Sequence, residues 1–222
     1  GSECREQWVV DPGYKLVGID ASGLELRMLA HYMEDEEYTK EVVDGDIHTK
    51  NQLAAGLDTR AKAKTFIYAF LYGAGAKKIG SITGTNGTVI IDKFMKNVPA
   101  LAKLKEKIAV NLRNKGSLPG LDGRRLFIRS EHAALNTLLQ GAGAVVMKKA
   151  LVIFDKYIKL HELDAHFVAN VHDEWQLEVK EEEAELVGQL GVKAIIEAGK
   201  ALRLNCPLDG EYKVGDNWKQ TH

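Results

Sequence analysis

The stretch KLVGIDASGLELRMLAHYM, residues 15–33, joins a short apolar run that ends in a carboxylate to a helical pattern. Its first six residues predict a buried strand, and the Ser-Gly pair after Asp20 predicts a tight turn. Leu24, Met28 and Tyr32 then recur at helical spacing. The sequence therefore predicts a strand, a turn and a helix, with Asp20 at the carboxyl end of the strand.

A second carboxylate is predicted at the tip of a hairpin. HFVANV (166–171) and WQLEV (175–179) have strand character, and His172 and Asp173 lie in the polar turn between them. If this hairpin pairs with the first strand, Asp20 and Asp173 meet at one point, where they can hold two divalent cations about 4 Å apart. Mg²⁺ suits such oxygen ligands. The alternative is that both residues are ordinary turn formers.

A helix beginning after Thr59 carries an unusual row of side chains. Arg60, Lys64, Tyr68 and Tyr72 are spaced by four, so they stay within one stripe of the helix surface. Two cations followed by two aromatic rings favour a nucleoside triphosphate as ligand, with the cations on the phosphates and the rings on the sugar or base. The alternative is a surface helix whose tyrosines pack inward.

Further elements follow from local signals. Asp46 is predicted to be the N-cap of the helix that follows it. Ser130 is predicted to cap a long helix that ends at about Leu160, and RRLFIR (124–129) predicts a short strand or hairpin. The tail, residues 208–222, is predicted to be short and strand-like.

The composition excludes several classes of protein. The chain has 222 residues, of which 45% are apolar and 27% charged, so disorder and low-complexity repeats are excluded. The two cysteines form no CxxC pair, which argues against a disulfide framework or a zinc site. Because no run reaches about 18 apolar residues, no membrane span is expected.

The net charge of −1 hides a strong asymmetry. Between Thr59 and Arg129 the chain has 15 Lys and Arg against 3 Asp and Glu, whereas the remainder has 15 against 28. This density of positive charge predicts a phosphate-bearing partner. The alternative is a solvated, lysine-rich surface.

Five segments occur in a recognisable order: DASGLELRMLAHY, GDIHTKN, TRAKAKTFIYAFLYGAG, RSEHAALNTLLQGAGA and VHDE. Together they resemble the palm and fingers motifs of family A DNA polymerases, especially those of short-tailed phages, whose ending the C-terminal NW…H also resembles. The resemblance implies an α+β fold in which a right-hand palm, with a small antiparallel sheet, carries an inserted helical fingers subdomain. It assigns residues 1–35 and 139–222 to the palm and 36–138 to the fingers.

The resemblance also implies a two-metal phosphoryl transfer to a primer 3′-hydroxyl, which releases pyrophosphate. Asp20, Asp173 and the carbonyl of Ala21 would bind two Mg²⁺ ions, and Lys64 would protonate the leaving group. The residues implied to bind the nucleotide are Glu25, His48, Arg60, Lys64 and Tyr68.

Two residues are implied to select the sugar. Glu25 would pair with the Tyr68 hydroxyl and close the space that a ribose 2′-hydroxyl needs. Tyr at position 68 predicts good acceptance of dideoxynucleotides.

DNA contacts are implied for a further set of residues. Tyr72 would stack near the template base, and His172 would touch the primer-terminal phosphate. The residues implied to line the minor groove of the new base pair are Arg129, His132, Asn136 and Gln140. The last three are spaced by four, so one helix is predicted to present them together.

The implied partners are primer–template DNA and dNTP, with no membrane, in the cytoplasm of an infected bacterial host. A polymerase of this family also has a thumb and usually an exonuclease, which cannot fit into the nineteen residues before Asp20. The chain is therefore expected to be an excised fragment or one product of a split gene, with thumb and exonuclease on a separate chain.

Three other functions stay open. A two-metal nuclease would need more carboxylates and would not need the row of Arg60, Lys64 and Tyr68. A single-subunit RNA polymerase conflicts with Glu25, which crowds the 2′-hydroxyl. A nucleic-acid-binding module without turnover would bind DNA weakly and with strong salt dependence.

Overall fold

The computed structural model describes residues 2–222, which form an antiparallel sheet with helices and so confirm the predicted α+β class. The strands are β1 Tyr14–Ala21, β2 Ser117–Pro119, β3 Arg125–Phe127, β4 Ala165–Val171, β5 Glu174–Lys180 and β6 Gly210–Gly215. The helices are α1 Ser2–Arg5, α2 Leu24–Met33, α3 Glu36–Val43, α4 Ile47–Ala55, α5 Arg60–Leu71, α6 Ala76–Thr83, α7 Gly87–Asn97, α8 Pro99–Lys115, α9 Ala134–Leu160, α10 Ala184–Ala201 and α11 Trp218–Thr221.

The chain forms two compact units. The sheet unit comprises the described residues up to Leu24 together with Gly143–His222, and the helical unit comprises Glu25–Ala142. The predicted boundaries of palm and fingers are a separate, functional assignment and stay a prediction.

The sheet unit is built around β1, which lies inside a four-stranded antiparallel sheet of order β4-β5-β1-β6. Val17 and Ile19 are fully buried, and a Cβ at Gly191 of α10 would overlap the Ile19 side chain. On Gly18, a Cβ would overlap the carbonyl oxygen of Thr221 in α11. Helices therefore lie close to β1, which explains why its central residues, 16–19, carry no polar side chain.

Helix α9 supplies much of the remaining core. The ring of Phe154 stacks on Trp175 of β5 at 5.5 Å between centroids and meets Phe167 of β4 edge-on at 5.6 Å. Among the described residues, Glu131–Leu160 is the one stretch long and apolar enough to cross a bilayer by length and composition. Val146, Ala150 and Phe154 of that stretch are fully buried within the fold, as is usual for a core helix.

The helical unit is held by an aromatic cluster. Phe66 and Phe70 of α5 both contact Phe94 of α7, at 5.1 and 5.7 Å between ring centroids. The apolar face of α5 is thereby fixed toward the core, whereas Arg60 and Lys64 lie exposed on its other side.

Several local predictions are confirmed and others are wrong. Asp46 and Thr59 cap α4 and α5 through their side chains. Ser130 makes no side-chain capping bond, and a 3-10 turn, Glu131–Ala133, precedes α9. The tail contains β6 and also the short helix α11, which Asn217 caps. Helix α3 was not predicted, although Asp35 caps it.

The close contact between α6 and α7 in the helical unit can be tested at Gly87. A Cβ at Gly87 would overlap the carbonyl oxygen of Ala76, whereas one at Gly75 would meet open space. We expect Gly87→Ala to lower the free energy of unfolding by about 1–3 kcal/mol, and Gly75→Ala to change it by less than about 0.5 kcal/mol. Urea denaturation of the two variants measures this difference, and equal stabilities would contradict the packing.

Candidate active site

The sheet unit has a pair of predicted metal-binding carboxylates at one end of its sheet. Asp20 is the penultimate residue of β1, and Asp173 lies in the two-residue turn between β4 and β5. Because β1 and β5 pair antiparallel, with Asp20 opposite Glu174, the end of one strand meets the start of the other. The backbone N–H of Ala21 donates to the carbonyl of Asp173 at 3.0 Å. The structure thus brings Asp20, Ala21 and Asp173 together, as predicted for adjacent strands.

The charges at this end of the sheet are crowded. Asp20 is half-buried, and its pKa is raised to about 7, first by burial and then by the carboxylates of Asp173, Glu174 and Glu211. Burial and like charges both disfavour a carboxylate anion. A cation bound at this point would relieve the repulsion.

The donor set suits Mg²⁺. Among residues 2–222, no three His, Cys, Asp or Glu side chains form a cluster that could hold a metal ion. The predicted ligands are the carboxylates of Asp20 and Asp173 and the carbonyl of Ala21, a smaller donor set than such a cluster. Mg²⁺ prefers few protein oxygens and keeps its other positions for water and substrate phosphate, so these residues fit it.

Glu174, which follows Asp173, is a buried carboxylate with several hydrogen bonds, and the sequence alone assigned it no function. It is 7% exposed, and its carboxylate accepts from Trp218 Nε1 at 2.8 Å and from the Gln176 amide. His222 Nδ1 lies at 2.5 Å from its second oxygen. Two of the residues that hold Glu174, Trp218 and His222, come from the tail, and the VHDE segment and the NW…H ending were the available signals.

A separate group of predicted site residues lies in the helical unit, on α4 and α5. The Asp46 carboxylate, which caps α4, accepts from Arg60 Nε at 2.7 Å. The rings of His48 and Tyr68 lie 6.1 Å apart. Burial, and then the charges of Arg60 and Lys64, lower the pKa of His48. The structure thus groups the residues predicted to bind the nucleotide phosphates.

His48 has a further property that suits a ligand. Its Nδ1 is buried, and within residues 2–222 it has no hydrogen-bond partner. An unpaired buried polar atom is costly unless something binds it. Lys64 is exposed close by.

Glu25 lies in the first turn of α2 and is half-buried. It accepts a hydrogen bond from the hydroxyl of Tyr72 at 2.9 Å. Tyr72, at the end of α5, is 50% exposed. This bond joins Glu25 to the same row of α5 that carries Tyr68, one turn away. The predicted pairing of Glu25 with Tyr68 stays a prediction.

The residues predicted to contact DNA lie on several elements. Arg129 is exposed before the 3-10 turn that contains His132, whereas Asn136 and Gln140 lie on α9. His132 is therefore not on the same regular helix as the other two, contrary to the spacing argument. His172 is exposed in the β4–β5 turn of the sheet unit, where it adopts a left-handed conformation with φ +53°.

The chain is similar to known DNA polymerases over nearly its whole length. The sequence profile of DNA polymerase family A matches residues 1–220. The DNA-directed DNA polymerases of Enterobacteria phage T3 and Escherichia phage T7 are each 42% identical over 250 positions, which cover 100% of this chain and 35% of each relative. The chain thus spans about a third of the length of these relatives.

A solved structure is similar over the same extent. The POL domain of Pol1 from M. smegmatis, in complex with DNA primer-template and dNTP, matches with a TM-score of 0.87 and 25% identity. The match covers 99% of this chain and 42% of that one.

The raised pKa of Asp20 predicts a pH-dependent stability. In the unfolded chain the carboxyl loses its proton near the ordinary value of 3.8, but in the folded protein it keeps the proton up to about 7. The folded state therefore binds more protons between these values, and the stability of the metal-free protein should fall as the pH rises through them.

Calorimetry at pH 8 checks this expectation. In EDTA, Asp20→Asn should melt at a higher temperature than the wild type, because it carries no charge. Mg²⁺ should raise the Tm of the wild type and change that of Asp20→Asn little. The same Mg²⁺ response in both proteins would contradict a metal site at Asp20.

Proposed function

Since the chain belongs to DNA polymerase family A, we propose that it forms the palm and fingers of a DNA-directed DNA polymerase. It would add dNMP from dNTP to a primer 3′-hydroxyl and release pyrophosphate. The observation that carries this proposal is the pairing of β1 with β5, which puts Asp20 beside the turn that contains Asp173. The exposed cations on α5 support it, because they supply the phosphate ligands that such a reaction needs.

We assign residues 1–35 and 139–222 to the palm and 36–138 to the fingers; residue 1 lies outside the described part. The compact units support an inserted helical part, since the helical unit lies within the sequence of the sheet unit. Thumb and exonuclease functions would come from further polypeptide, on the same or a separate chain. Because the relatives include phage enzymes, we expect the protein to act in an infected bacterial cell.

Asp20, Asp173 and the Ala21 carbonyl would hold two Mg²⁺ ions. When bound, the ions supply Lewis acidity that lowers the pKa of the primer hydroxyl and stabilises the charge on the pyrophosphate. The backbone hydrogen bond from Ala21 to Asp173 supports this assignment, because it holds the two ligand-bearing segments side by side.

Arg60, Lys64 and His48 would bind the triphosphate. Arg60 and Lys64 lie one helical turn apart on α5 and are exposed, so both can reach phosphate oxygens. The unpaired Nδ1 of His48 offers a further contact. Lys64 would give a proton to the departing pyrophosphate, which lowers the charge that must develop on it.

Tyr68 and Glu25 would select the deoxyribose. The Tyr68 ring is half-buried beside His48, where it can lie against the sugar and base. We propose that Glu25 closes the space that a 2′-hydroxyl would need. The hydrogen bond of Glu25 to Tyr72 supports this role, because it holds the carboxylate beside the same helix face.

The side chains proposed to contact DNA are Tyr72, Arg129, His132, Asn136, Gln140 and His172. The minor-groove acceptors are nearly the same for every correct base pair, so polar side chains there check shape without reading sequence. The basic segment between Thr59 and Arg129 would bind phosphates of the template strand.

Primer extension with Mg²⁺ and dNTP at low salt tests the proposal. We expect the wild type to extend the primer, and Asp173→Asn to be slower by at least about 100-fold, because it removes a charge that stabilises the transition state. Circular dichroism should show an unchanged fold. If Asp173→Asn extends at the wild-type rate, the metal role is wrong. If the wild type binds DNA and dNTP without extending, the chain is a binding module that needs a partner chain.

Replacing Tyr68 by Phe tests the sugar contact. The Tyr68 hydroxyl can donate where a dideoxynucleotide lacks its 3′-hydroxyl, and a hydrogen bond to a charged group contributes about 1.5–3 kcal/mol. We expect Tyr68→Phe to lower kcat/KM for ddNTP by about 10- to 100-fold and to change that for dNTP little. Single-turnover incorporation measures both, and equal losses would argue against the contact.

A further inference from the structure

The Asp46 carboxylate accepts hydrogen bonds from two helices. Its Oδ1 accepts from the backbone N–H groups of His48 and Thr49 at 3.2 and 3.3 Å, which caps α4. Its Oδ2 accepts from Thr49 Oγ1 and from Arg60 Nε, both at 2.7 Å. Arg60 is the first residue of α5. One side chain therefore connects the first turns of α4 and α5.

The ion pair keeps its charge at all working pH values. The hydrogen bond from Arg60, followed by that from Thr49, holds the pKa of Asp46 far below its usual range. The same contact raises the pKa of Arg60. Both side chains are about half exposed, at 44% and 54%, so the pair contributes little to folding stability.

The geometry leaves Arg60 able to bind a ligand. Asp46 receives the Nε–H, and within residues 2–222 no hydrogen bond occupies the two Nη groups. They can therefore bind ligand oxygens in a bidentate way. A free arginine side chain has many rotamers, and binding must restrict them. A side chain already held at Nε loses less entropy when phosphate binds.

We propose that Asp46 is a positioning residue for the triphosphate site: it orients Arg60 and fixes the start of the helix that presents His48. This inference rests on the proposed function, because it takes the ligand of Arg60 and His48 to be a nucleoside triphosphate. Asp46 itself would touch no phosphate.

The variant Asp46→Asn separates orientation from helix capping. Asparagine is as good an N-cap as aspartate, so α4 should still begin at Ile47. Its single oxygen can serve the cap, but its amide nitrogen replaces the oxygen that holds Arg60. Asp58→Asn is the matched control, because it removes an equal charge from a similarly exposed ion pair, with Lys62 at 2.9 Å.

Steady-state primer extension should show the effect in KM. We expect Asp46→Asn to raise the KM for dNTP by about ten-fold with kcat nearly unchanged, and Asp58→Asn to change the KM by less than about two-fold. In an Arg60→Ala background, Asp46→Asn should have no further effect, since its partner is gone. If Asp46 had a purely structural role, Asp46→Asn would lower the Tm and kcat, and these effects would remain in the Arg60→Ala background.

The outcomes separate this inference from the proposed function. An unchanged KM in Asp46→Asn, or an equal effect in the Arg60→Ala background, would overturn the role of Asp46 while the wild type still extends primers. Binding of dATP with Mg²⁺, measured by calorimetry, gives the same comparison if extension is slow. A wild-type chain that neither extends primers nor binds dATP would overturn both proposals.

Discussion

The antiparallel pairing of β1 with β5 is the constraint on which the rest of the site depends. It joins two segments that lie near opposite ends of the sequence and sets Asp20 opposite Glu174. A shift of one residue in this register would turn Asp20 to the other face of the sheet. The buried apolar side chains of β1 and the close approach of α10 and α11 favour the observed register.

This pairing gathers negative charge in a half-buried place, which raises the pKa of Asp20. Glu174 is one of the carboxylates that raise this pKa, and its own buried carboxylate is bonded by Trp218, Gln176 and His222. The hydrogen bonds satisfy a buried acceptor but leave the total charge negative. A divalent cation is the chemical complement of such a site.

The helical unit, in contrast to the half-buried negative charge of the sheet unit, keeps positive side chains exposed on an ordered helix. The aromatic face of α5 is anchored by Phe66, Phe70 and Phe94, so Arg60 and Lys64 project from its other side. The capping residue Asp46 then limits the freedom of Arg60. A surface ion pair contributes little to stability. Here its proposed effect is to orient the Arg60 side chain for binding phosphate.

The sequence by itself determined the features that depend on near neighbours: the strand that ends at Asp20, the caps at Asp46 and Thr59, the β4–β5 hairpin, and the row of α5. Short-range signals decide these features: capping hydrogen bonds, helical side-chain spacing, and strand-like runs that flank a polar turn. Only the tertiary structure decided which strands pair, that the tail folds into α11 beneath β1, that Tyr72 bonds Glu25, and that Asp46 reaches Arg60. These contacts join residues far apart in sequence, so they depend on how apolar faces pack, which no local pattern records.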